Sequence, residues 1–438
     1  MLAVFAVVVE HTTHQAPLSH PELGGYPFSL PLRVGASTML VISAFFVCVT
    51  VRKRGRPGWL WNRIARLVPA YLVAVLLTYV VTRLAVIEFN RLTFRDAGVL
   101  GGWLTDRPVG ATILAGESPW YLPTTGDLVA NLLMIQGWSP EFHAIDAAYW
   151  TMPVQIVAFV IAALLFPMRW ARGRHVPIML WSMVIIPVII RYTVRTRDAP
   201  QWVKSVFDGL AMNRTQLFAV GIAIWLWSRR RLSAWHLAAL LLAALVAQDA
   251  HAYWLDTPST AVLGVVLLAV CAAARGPDWN IPVVRAAAPV IAWLAGVSYG
   301  VYLVHQQLGF ALARTLRDAG AGSWVRLAAV FAFAVLLGWL LTRLVERPSQ
   351  RWLTRAGPAL CAFVRRSAGR LALFVRGPGR RHARGRGRAH SQGGSGGGSP
   401  ARPLPSDLPV SQRSAADEGP PIVTVLSPAV PPASSQPR

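Results

Sequence analysis

Four ionisable side chains stand out inside apolar stretches of the chain: His11, Arg63, Arg66 and His305. In hydrocarbon a charged residue costs roughly 2.5–3.5 kcal/mol on the insertion scale, so each marks a place where polarity has a use. Histidine exchanges protons near neutral pH. Arg63 and Arg66 stand three positions apart, which puts both guanidinium groups on one helical face, a fork suited to the oxygens of an anion. Each also has a plainer reading: a snorkelling histidine at the end of a span, a basic flank that Arg52 to Arg56 already supplies, and a packed core histidine.

The elements that carry these side chains follow from composition. With 54% of residues hydrophobic and only 14% charged, the chain suits lipid as its solvent rather than water. Stretches near or beyond the ~18 apolar residues needed for a membrane crossing recur along its length, which means a polytopic bundle. The fold class expected is therefore all-α, a transmembrane bundle of about ten helices: Met1–Glu10, Val34–Val51, Leu60–Ile87, Tyr149–Met168, Val176–Arg191, Thr215–Ser228, Ala234–Gln248, Thr260–Ala274, Ala286–Ala311 and Trp324–Leu344. The segment Glu88 to Ala148 carries one apolar patch, Leu128 to Ile135, that fits a short interfacial helix.

The formal charge of +24 does not point to nucleic acid, because the arginines fall in short inter-helix loops and one long tail. Arg52–Arg56, Arg169–Arg174, Arg229–Arg231, Arg275–Arg285 and Arg347 onward share one side if ten spans alternate, and that side is the cytoplasm. The expected location is the plasma membrane, multi-pass, with both termini inside. From Arg351 to Arg388 there are 11 arginines and no acidic residue, which suits a basic segment (349–389) lying on anionic membrane lipid. Residues 390–438 are too rich in Gly, Ser and Pro to build a core. Cys48, Cys271 and Cys361 show neither paired nor metal-type spacing and read as packing residues.

Several short motifs share an order and spacing that resembles acyltransferase family 3, the membrane-bound O-acyltransferases of bacterial surface glycans, over residues 1–348. Leu2 to His11 is similar to the family's opening helix, where an arginine, ten residues and a histidine follow one another. The arginine's position falls just ahead of Met1. A ten-residue first helix spans only ~15 Å, so the expected first span begins upstream. Val41-Ile-Ser-Ala-Phe-Phe46 resembles the family's Phe-Phe-Val-Leu-Ser-Gly-Phe, with Ala44 for glycine, and Arg63-Ile-Ala-Arg66-Leu-Val-Pro69-Ala-Tyr71 resembles its paired arginines before proline and tyrosine. Tyr149-Trp150-Thr-Met-Pro-Val154-Gln155 is similar to Tyr-Trp-Thr-Leu-Pro-Val-Glu. Its glutamine keeps hydrogen bonding but cannot take a proton. Ser298-Tyr-Gly-Val-Tyr302-Leu-Val-His305 and Glu346-Arg347-Pro348 complete the series.

The resemblance implies transfer of an acyl group, acetyl by default, from cytoplasmic acyl-CoA to a hydroxyl of a surface glycan or glycolipid, with no metal and no resident cofactor. His11 is then the general base or transient acyl carrier. Arg63 and Arg66 hold the nucleotide end of CoA, and Ser43, Trp150, Gln155, Tyr302 and His305 line the substrate cavity. A non-catalytic transporter or lipid carrier on the same fold is the alternative.

Overall fold

The computed structural model describes residues 2–51, 56–94, 108, 110–114, 117–165, 175–196, 198–252, 256–276 and 282–357. They belong to the unit Met1–Val375, while the second unit, Arg376–Arg438, lies outside the described residues. So does the expected basic segment beyond residue 357, and with it the Gly/Ser/Pro tail.

The described residues are helical, with one isolated bridge between Thr93 and Gly110. In chain order the helices are α1 Leu2–Glu10, α2 Ala16–Ser19, α3 Gly35–Thr50, α4 Arg56–Phe89, α5 Thr125–Leu132, α6 Thr151–Leu165, α7 Val176–Thr193, α8 Gln201–Gly209, α9 Thr215–Ser228, α10 Ala234–Ala250, α11 Thr257–Arg275, α12 Pro282–Val304, α13 Gln307–Asp318 and α14 Ser323–Leu341. Six helical segments are long and apolar enough to cross a membrane, and two shorter ones, Gly35–Thr50 and Ala234–Ala250, are also apolar. This is a multi-pass membrane protein. The expected count of about ten exceeds the six by α1, α3, α9 and α10, whose regular α-helical stretches have 9, 16, 14 and 17 residues.

Two expected boundaries move. The first helix does not stop at Glu10 but widens into a π turn, His11–Gln15, and continues through α2. Thr12 and Thr13 donate their hydroxyls to the carbonyls of Val8 and Val9, each at 2.8 Å, as hydroxyls inside helices do. The expected helix Ala286–Ala311 breaks at His305 and Gln306, and its second part, α13, leaves in a new direction. The break is held from 161 residues away. Asp146, fully buried, accepts from the backbone N–H of Gln307 at 2.9 Å and of Ala148 at 2.8 Å, so one carboxylate caps two helical segments.

Close backbone approaches seat the helices that matter for the site. A Cβ on Gly35 would collide with Val7 and the Ala3 carbonyl, so α1 lies directly on α3. At Gly221 of α9 a Cβ would lie 2.7 Å from that of Ala44. Ala44 stands where the resembling family has glycine, and Gly221 on the facing helix makes the room it needs. Arg314 of α13 is almost fully buried among carboxylates, 3.1 Å from Glu22, 2.7 Å from Glu117 and 2.7 Å from Asp318. The indole N–H of Trp120 joins the same Glu22 oxygen at 3.0 Å.

Candidate active site

His11 and His305 meet although 294 residues separate them. His11 Nδ1 lies 2.9 Å from His305 Nε2, and the two rings stack at 4.9 Å. The π turn places the first ring at the end of α1, and the break after α12 places the second. Behind them, His305 Nδ1 faces the Tyr302 carbonyl at 2.8 Å. The Tyr302 hydroxyl donates to the Ala148 carbonyl and accepts from Thr151, both at 3.1 Å, which ties α12 to the start of α6. Glu10 completes the row, its Oε2 standing 3.2 Å from His11 Nε2.

A cavity of about 460 Å³ opens in front of this row. His11, Glu10 and Gln306 form one wall. The facing wall comes from the start of α3 and the ends of α10 and α11, with Ser37, Gln248, His251, Asp256 and Ser259, while Arg33 stands exposed at the rim. Trp150 lines it under the guanidinium of Arg214, 4.8 Å from the ring centre. Four buried polar atoms on these walls have no hydrogen-bond partner among the described residues: Glu10 Oε1, Gln306 Oε1 and both ring nitrogens of His251. An unmet buried polar group costs about 1–3 kcal/mol, so these four atoms leave hydrogen-bonding capacity for whatever fills the cavity, water or ligand.

The arginine pair lies elsewhere. Arg63 donates to Thr50 Oγ1 at 2.8 Å, at the far end of α3 from the cavity, and its guanidinium covers the rings of Trp59 and Phe159. Arg66 donates its Nε to Glu346 at 3.3 Å, while half of its side chain stays exposed. Glu346 sits in a second π turn, Thr342–Glu346, and also accepts from Thr342 at 3.2 Å. Fifteen residues of α3 separate the two ends by ~22 Å.

Of the residues singled out in the sequence, His11 and Trp150 line the polar cavity, and His305 and Tyr302 form a layer behind His11. Ser43 and Gln155 are half-buried and line neither this cavity nor a second one, of about 190 Å³ and apolar, between α3, α6, α7 and α9. Glu10, Arg33, Asp146, His251 and Gln306 were missed. A carboxylate at the end of the apolar run before His11 was a visible signal. The others sit in loops and helix ends whose partners come only with the fold.

No curated protein and no solved structure matches the chain. A family model described as an acyltransferase domain matches residues 1–343, a stretch that contains His11, Arg63, Arg66, Trp150 and His305. The chain belongs to acyltransferase family 3, a family of membrane acyltransferases.

Proposed function

We propose that this protein is an O-acyltransferase that takes an acyl group, acetyl by default, from cytoplasmic acyl-CoA and places it on a hydroxyl of a surface glycan or glycolipid precursor across the plasma membrane. The observation that carries the reading is the His11–His305 hydrogen bond on the wall of a polar cavity. The unpartnered wall atoms add to it. Carboxylate and amide oxygens accept, and a neutral imidazole offers one acceptor and one donor. A ligand that meets them must donate several hydrogen bonds, as a sugar's hydroxyls do and an anion cannot.

In this reading the acceptor oxygen attacks the thioester carbonyl, the new C–O bond forms, and the C–S bond breaks with its electron pair on sulfur. The hydroxyl proton passes to His11 and returns to the thiolate. Transient acylation of His11 is the two-step version of the same exchange. Arg66 offers two terminal nitrogens with no partner among the described residues, held in place through its Nε, and these take a phosphate of CoA. The arginine-rich loops support a cytoplasmic position for that end. A non-catalytic lipid or glycan carrier is the second reading, and the apolar cavity is the feature that favours it.

The test is labelled acyl transfer from acyl-CoA in membranes holding equal amounts of each variant. His11→Ala is expected to lose at least ~10² in turnover, the usual scale of positioned proton transfer, and His305→Ala less. Transfer by His11→Ala at the parent rate rules the mechanism out.

A further inference from the structure

Glu10 is only 4% exposed, at the end of the apolar run that leads to His11. Hydrogen-bond chemistry then fixes the tautomers along the row. A carbonyl can only accept, so His305 Nδ1 carries the proton that meets Tyr302. A neutral His305 therefore presents a lone pair at Nε2, and His11 Nδ1 must carry the proton between the two rings. What remains on neutral His11 is the lone pair at Nε2, and the group facing it at 3.2 Å is the Glu10 carboxylate. Lone pair against carboxylate repels. A proton placed between them turns the contact into a charge-assisted hydrogen bond.

We infer that Glu10 is a positioning residue for His11: it leaves Nε2 as the basic nitrogen, raises the affinity of that nitrogen for a proton, and neutralises the imidazolium formed during transfer. This rests on the proposed role of His11 and adds the group that makes a buried imidazole basic enough for it. When the acceptor oxygen bonds to the acyl carbon, its proton comes to rest between Nε2 and Oε2, and it leaves with the thiolate as the free thiol. Among the described residues, the other charged or titratable groups that act on the pair are Arg33 ahead of α3, Asp256 at the cap of α11 and His305 at the end of α12. The Asp256 carboxylate already accepts from the Ser259 amide at 3.2 Å and makes no hydrogen bond to His11 among the described residues.

The experiment is the pH profile of labelled acetyl transfer from acetyl-CoA to the envelope glycans of the producing cells, for the parent, Glu10→Gln, Glu10→Asp and His11→Ala. An opposite charge at this distance moves a titration by ~1–3 pH units. Activity of a base falls as pH drops below its titration point, so removing the charge should carry that acid limb about one unit or more toward lower pH. Glu10→Gln should show this displacement with roughly tenfold lower turnover at neutral pH, and Glu10→Asp should keep the limb near the parent's. If Glu10→Gln is inactive, carbethoxylation of His11, followed by mass spectrometry across pH, reads the same titration without turnover. A limb, or a modification midpoint, that stays where the parent's lies overturns the inference, whatever happens to the rate. Should that occur while His11→Ala is dead, only the role of Glu10 falls; full activity in His11→Ala removes the reading beneath it.

Discussion

The two ends of the bundle use the same parts differently. Each has a π turn, a buried glutamate and a basic partner: Glu10 with His11 at one end, Glu346 with Arg66 at the other. At the cavity end the carboxylate keeps one oxygen unpartnered among the described residues and faces an imidazole, a group that can take up and give back a proton. At the arginine end both carboxylate oxygens are engaged, by Arg66 and by Thr342, and the partner never loses its charge. One arrangement is made to exchange a proton and the other to hold a cation still. The difference teaches that a buried acid in a membrane bundle is read by what its second oxygen touches.

The contrast can be broken first at Asp146, which supports the cavity end alone. Asp146→Ala leaves the N–H groups of Gln307 and Ala148 without their acceptor, at about 1–3 kcal/mol each, and should loosen the seat of His305. Turnover should drop by about tenfold or more with little change in KM for acyl-CoA, since a tenfold rate corresponds to ~1.4 kcal/mol. Steady-state kinetics in membranes check this, and a change confined to KM would sever Asp146 from the histidine pair.

At the arginine end the expected split is the reverse. Arg66→Lys keeps the charge but loses the fork, so KM for acyl-CoA should rise by up to about tenfold while kcat holds. A kcat effect without a KM effect would place the arginines in structure rather than in donor binding. Weaker still is the response of the Arg314 carboxylate cluster to acid. The hydrogen bond from Arg314 holds the Glu117 carboxyl below its ordinary value of 4.5. Its contribution is therefore present above 4.5 and lost as pH falls through the lower folded value. Protection of Glu117 to Tyr121 against hydrogen exchange, corrected for the intrinsic rate, should hold at neutral pH and fall only in acid below that point. Smallest of all is Gln155→Glu. It restores the residue of the resembling family at a half-buried position that lines neither cavity, and transfer should stay within about twofold of the parent.

Much of the site could be read from the chain before its fold. Polarity inside apolar runs picked out His11 and His305, which form one hydrogen bond, and Arg66, which pairs with the glutamate of Glu346-Arg347-Pro348. What escaped was tertiary. The apolar pattern runs unbroken from Ala286 past His305, so a single helix was expected, and the break is imposed by Asp146 in a distant loop. His251 lies at the end of α10 and reads as a loop residue until the bundle turns it toward His11. The short helix Gln201–Gly209 carries Trp202, Lys204 and Asp208 in a polar connection and gives too few apolar repeats to be seen.

The π turn at His11–Gln15 also bears on which changes of length the protein tolerates. A π turn is an α-helix with one residue too many, and each residue of an α-helix turns the chain by ~100°. Deleting any one of Thr12, Thr13, His14 or Gln15 would let the helix relax to regular winding and swing everything beyond it by about that angle. The Thr13 hydroxyl would leave the Leu30 amide it now meets at 3.2 Å, and the connection to α3 would have to be remade. Substitutions within the turn leave that register intact. Beyond Glu10 and His11 the first helix is thus constrained more in residue count than in residue identity, and a one-residue shortening within Thr12 to Gln15 should be harder to accommodate than several simultaneous replacements there.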